Sequence, residues 1–139
     1  MKQALLVSSM IIGFANLAAA QGADIHTHCG SNGSHFSLAA DTQTFNYEAT
    51  ISGSTVAYVV VLDVYHNGAL RSSTTEVVLF PPPSYQFSAS VNTSSWGLRA
   101  GDNVTFRLRV LGLTFGNLLA SHTLIGDVVP AEAPAPRTD

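Results

Sequence analysis

A period of two runs through this chain and constrains its fold more than any other feature. Phe45, Tyr47, Ala49 and Ile51 alternate with Asn46, Glu48 and Thr50. Tyr85, Phe87, Ala89 and Val91 alternate with Gln86, Ser88 and Ser90, and Val104, Phe106, Leu108 and Val110 alternate with Thr105, Arg107 and Arg109. Successive side chains of an extended strand point to opposite faces, so each run describes a strand with one face buried and one wet. No stretch beyond the first 20 residues carries a helical period.

Turn residues punctuate the strands at short intervals. Gly53-Ser54 closes the run ending at Ile51, and Asn67-Gly68, a pair that tolerates positive φ at both positions, predicts a tight hairpin between 56–66 and 69–73. Pro81-Pro82-Pro83 cannot donate to a ladder and separates a strand at 76–80 from one at 84–92. Gly101-Asp102 precedes the strand at 104–110, and Gly112 and Gly116 bracket the turn before a last strand at 118–125. With 34–39 at the front, the spacing predicts an all-β sandwich or barrel of seven or eight strands.

The ends read differently. Lys2, an apolar stretch from Ala4 to Leu17 and the small residues Ala18-Ala19-Ala20 match a secretory signal peptide over 1–20. Ser8, Ser9, Gly13 and Asn16 interrupt the stretch, which favours cleavage over a spanning anchor. A secreted or periplasmic location is therefore expected, with no membrane insertion after cleavage. Residues 21–33 are expected to be an irregular leader, 34–129 the sandwich, and 130–139, with Pro130, Pro134 and Pro136, a flexible tail.

Charge narrows the function classes. Without Lys2 the chain has five arginines against nine carboxylates, a net charge of −4. So few cations argue against nucleic acid as a partner. No Gly-x-Ser-x-Gly elbow, His-Glu-x-x-His pair or phosphate loop is present, so no enzymatic activity is expected. Of the three Asn-x-Ser/Thr triplets, at Asn32, Asn92 and Asn103, each matters only in a host that glycosylates exported protein.

The run from Trp96 through Gly97, Leu98, Gly101-Asp102 and Val104-Thr105-Phe106-Arg107-Leu108-Arg109-Val110 resembles the E–F corner and F strand of bacterial immunoglobulin-like and fibronectin-type-III-like domains. In those domains a leucine and a Gly-Asp turn commonly precede a V-T-F-x-L-x-V strand. The resemblance implies an antiparallel immunoglobulin-like β-sandwich, without the paired cysteines of antibody domains, and it implies no particular function.

Two candidate surfaces emerge. On 56–66 one face carries Tyr58, Val60, Leu62 and Val64, and the other carries Val59, Val61, Asp63 and Tyr65. In the immunoglobulin arrangement this strand pairs with the one bearing Arg107 and Arg109. Valines beside Tyr65, Asp63 and two arginines have the composition of a contact surface for a protein or cell-surface partner, and self-association is open. The same residues also suit a plain valine-rich central strand, with Asp63 paired to an arginine across the sheet. The second candidate is His26, His28, Cys29 and His35, whose ligand types suit zinc or copper although their spacing matches no closed zinc motif. The sole cysteine, Cys29, is a free thiol, an intermolecular bridge or a metal ligand. The expected function is an exported, non-catalytic binding or structural module needing no cofactor; the alternative is a small zinc- or copper-binding protein.

Overall fold

The computed structural model of the chain describes residues 22–29 and 35–131, and no helix occurs among them. The expected signal segment at 1–20, residues 30–34 and residues 132–139 of the expected tail lie outside the described residues. Eight strands follow one another: β1 (Asp24–Thr27), β2 (His35–Ala39), β3 (Thr44–Ser52), β4 (Tyr58–His66), β5 (Ala69–Val78), β6 (Ser84–Asn92), β7 (Asn103–Gly112) and β8 (Leu118–Val129). One sheet has the order β1-β3-β6 and the other β2-β8-β7-β4-β5.

The alternation of the sequence becomes the two inner faces. Tyr47, Ala49 and Ile51 of β3 and Phe87 and Val91 of β6 are buried on one sheet. Tyr58, Val60, Leu62 and Val64 of β4 and Val104, Phe106, Leu108 and Val110 of β7 are buried on the other, and all of these belong to one core. Phe106 joins the layers. Its ring lies 4.7 Å from Phe45 and 5.7 Å from Tyr47 on the three-stranded sheet, and 5.8 Å from Phe36 on β2 of its own sheet. Offset and tilted rings at these separations are favourable beyond the area they bury.

Three expectations need correction. The two sheets are not wholly antiparallel, because β2 pairs with β8 in parallel, Phe36 opposite Gly126. β2 lies at the sheet edge beside β8 alone and runs with it, His35 to Ala39 along Ile125 to Val129. The fit of β2 needs Gly126, where an added Cβ would come within 2.5 Å of the Phe36 ring. Secondly, 21–33 is not simply an irregular leader, since Asp24–Thr27 forms β1 against Ala49–Ser52. Thirdly, 69–73 and 76–80 are not separate strands. Thr74 and Thr75, β-branched and suited to a ladder, continue the pairing opposite Leu62 and Val61, and β5 runs unbroken to Val78. Leu79 and Phe80 fall beyond its end, where the partner strand starts at Tyr58.

The hairpin at Asn67-Gly68 has φ values of 49° and 86°, both in the left-handed region that this turn requires. Beside it the corner around Asp102 is pinned by polar contacts. Asp102 Oδ2 accepts from the Arg99 backbone N–H at 2.9 Å and lies 2.9 Å from His66 Nε2, while the His66 ring stacks on Trp96. Gly101 takes φ +96° to turn the chain, and Leu98 packs against the core. Hydrogen bonds from His66, Asn67 and the Arg99 backbone hold the Asp102 carboxyl down at about 2.

Two outcomes are expected. Phe106→Ala should lower unfolding free energy by about 3–5 kcal/mol in urea titrations, because it empties the contact between the sheets. The depressed carboxyl of Asp102 stabilises the fold at pH values above its ordinary 3.8, and that contribution is lost as pH falls through about 2. The stability gap between the native chain and Asp102→Asn should therefore be full at pH 5 and shrink steadily as titrations are taken down to pH 2.

Candidate functional site

The outer face of the five-stranded sheet divides into two halves. Across β4 and β7, Val61 stands opposite Arg109 and Asp63 opposite Arg107. Both arginines lean one residue pair along the strand. Arg109 Nη2 donates to Asp63 Oδ2 at 2.9 Å, and Arg107 Nη2 donates to the Tyr65 hydroxyl at 2.7 Å with its guanidinium 5.4 Å from the ring centre. Ser73 of β5 donates to the other Asp63 oxygen at 2.7 Å. Asp63 is only 7% exposed and both its oxygens are paired, so this polar half is largely an internal ladder, although the buried Arg109 Nε has no partner in it. The other half is apolar. Val77, Val59, Leu111 and Leu118 form one row across β5, β4, β7 and β8.

That row leads to the end of the molecule where three connections meet: 53–57 between β3 and β4, 79–83 between β5 and β6, and 113–117 between β7 and β8. Two of them, 53–57 and 113–117, are tied by hydrogen bonds. Gly112 N–H donates to Asn117 O, Gly116 N–H to Gly112 O and Leu113 N–H to Ala57 O. The Ser54 hydroxyl donates to Val56 O and accepts from Val56 N–H. The apolar side chains of all three connections turn outward. Phe80 is 91% and Phe115 87% exposed, with Val56, Leu79, Leu113 and Leu118 uncovered beside them. A small apolar pocket is lined by Val56, Ala57, Leu113 and Phe115, and a shallower hollow by Thr55, Pro81 and Pro83, so the 53–57 connection joins the other two into one surface.

Of the nine large hydrophobic residues exposed among the described residues, only Leu70 and Val129 lie elsewhere. The three connections contain no charged residue. The two phenylalanines alone expose on the order of 300 Å². This already matches the lower range of the largest apolar patch on an ordinary monomer, roughly 300–600 Å².

The histidine and cysteine segment is split between the sheets. His26 and His28 share the exposed side of the β1 edge with ring centres 5.2 Å apart, and His28 Nε2 lies 2.7 Å from Thr50 Oγ1. Cys29 is half-buried against the core, its thiol turned toward the carbonyls of Asn46 and Glu48. His35 begins β2 in the other sheet, opposite Ile125. Among the described residues no three of His, Cys, Asp or Glu are grouped to hold a metal ion.

Sequence reasoning allows contact through the sheet face or through the loops, but names no residue of this loop end, whose apolar residues are scattered over three short segments far apart in the chain. A signal was available: phenylalanines at Phe80, before three prolines, and Phe115, between Gly112 and Gly116, occupy turns where polar residues are the rule. Neither models of protein families nor curated protein sequences match this chain.

One consequence of the polar half concerns stability. Asp63→Ala leaves Arg109 and Ser73 without their acceptor and should cost about 1–3 kcal/mol by urea unfolding. Ser73→Ala, which removes only one bond, should cost about 1 kcal/mol or less.

Proposed function

We propose that this chain is an exported, non-catalytic binding module of immunoglobulin-like architecture that meets a protein or cell-surface partner through its apolar loop end and the adjoining Val59–Val61 side of the five-stranded sheet. The carrying observation is the concentration of exposed Phe, Leu and Val on three uncharged connections at one end. Such a surface is costly to leave in water, and its uncharged, aromatic composition is that of an interface centre. The strand orders β1-β3-β6 and β2-β8-β7-β4-β5, with the edge segment changing sheets, support the immunoglobulin-like reading. The signal-like segment at 1–20 supports export to a secreted or periplasmic location. Asp63, Tyr65, Arg107 and Arg109 contribute on this reading as a rigid polar border, since their groups are already engaged with one another.

The test is binding of labelled mature protein to intact cells and to an isolated envelope fraction of the producing organism. Burying a phenylalanine is worth about 1.5–3 kcal/mol, so Phe80→Ser with Phe115→Ser should weaken binding at least tenfold while leaving the melting temperature unchanged. Val61→Asp should weaken it less. Binding that the double variant retains in full contradicts the reading.

The pairing of His26 with His28 on an exposed edge supports a second reading, a zinc- or copper-binding protein in which these two imidazoles supply the site. Calorimetric titration with zinc and with copper should then show stoichiometric uptake that His26→Ala with His28→Ala abolishes, and no uptake by the native chain rejects it.

A further inference from the structure

The four edge strands of the two sheets are unequal. β1 has four residues and carries Asp24, and β2 has five. β5 is long, but its pairing is interrupted by an irregularity opposite Val64 and Tyr65, and it bears Arg71 and Glu76. Glu76 pairs in register with Val60, which places it on the inward side of the edge near Tyr85, whose hydroxyl pKa is pushed up by burial and by the Glu76 charge. Short length, bulges and inward charges are the devices by which sheet edges avoid pairing with other chains. β6 has none of them. Its nine residues, Ser84–Asn92, pair with β3 alone, without a register shift, and contain no charge, proline or glycine.

We propose that β6 is the seam of a homodimer, in which a second copy of this chain adds its own β6 antiparallel to the first and the two three-stranded sheets become one of six strands. The strand is self-complementary about Ser88. A two-fold axis there sets Tyr85 against the partner's Val91, Phe87 against its Ala89, Gln86 against its Ser90, and Ser88 against itself. Each large inward side chain meets a smaller one, the outward residues are neutral, and inward remains opposite inward, as the pleat demands. The pairing supplies on the order of nine backbone hydrogen bonds to groups that otherwise face solvent. The axis also brings the Glu76 end of β5 toward the partner's Arg71 end, opposite charges on neighbouring edges. Because it reverses the strand direction, the dimer carries its two apolar loop ends at opposite poles. Taken with the proposed contact role of those ends, such a dimer bridges two partners, but the seam itself does not depend on that role.

Light scattering on the mature chain tests this, with Ser88 as the probe because it is exposed and its replacement leaves the core intact. The native chain should be a dimer. Ser88→Lys, which sets like charges across the axis, should weaken dimerisation at least tenfold with an unchanged circular dichroism spectrum, and the melting temperature should lose its dependence on concentration. An equimolar mixture of Ser88→Lys and Ser88→Asp chains should recover the dimer, and Phe80→Ser with Phe115→Ser should remain dimeric. A native chain that is monomeric at all accessible concentrations overturns the proposal. So does a Ser88→Lys chain that stays dimeric, or a dimer lost in the double phenylalanine variant, which would place self-association at the loop ends.

Discussion

Phe106 holds the architecture together. The only cysteine is half-buried Cys29, so no internal disulfide joins the layers, and the sheets are held by what their inner faces bury. Phe106 projects from the centre of the five-stranded sheet into Phe45 and Tyr47 of the other layer and touches Phe36 of the strand that changes sheets. Gly126 must stay without a side chain so that Phe36 can lie over it. Within the five-stranded sheet, the pairing of Tyr58 with Gly112 brings the β7–β8 turn beside the 53–57 connection, where Leu113 N–H reaches Ala57 O.

The two ends of the molecule follow from where polar groups are satisfied. At one end Asp102 gathers His66, Asn67 and the Arg99 backbone, and the turn closes through charge-assisted bonds. At the other end backbone hydrogen bonds tie 113–117 to itself and to Ala57, and no charged side chain takes part in the three connections. Solvent there meets Phe80 and Phe115 almost in full. A stable core thus presents an unstable surface at one pole, and that difference points to function.

Much of the fold was legible from alternation. The inward rows of β3, β4, β6 and β7, and the positive φ values at Asn67 and Gly68, are local consequences of pleat and turn chemistry. What was not legible depends on partners distant in sequence. The parallel direction of β2 is decided by β8, some 90 residues later, and no local pattern encodes it. Thr74 and Thr75 carry no apolar alternation, so the continuity of β5 shows only through its pairing with β4. At the candidate site, the period of two draws Leu79 and Phe80 into a strand and hides their exposure, and proximity in sequence suggests a cluster for His26, His28, Cys29 and His35 that the change of sheet divides. The diagonal reach of Arg109 to Asp63 turns half of a plausible contact face into an internal ladder.

Hydrogen–deuterium exchange of the chain, with and without the envelope fraction of its producing organism, tests the proposed contact end most directly. New protection should be confined to the amides of 53–57, Leu79, Phe80 and 113–117 and of the adjoining end of β4, Pro81, Pro82 and Pro83 having no amide hydrogen to exchange. Protection centred on Arg107 and Arg109, or none at the loop end despite binding, contradicts it.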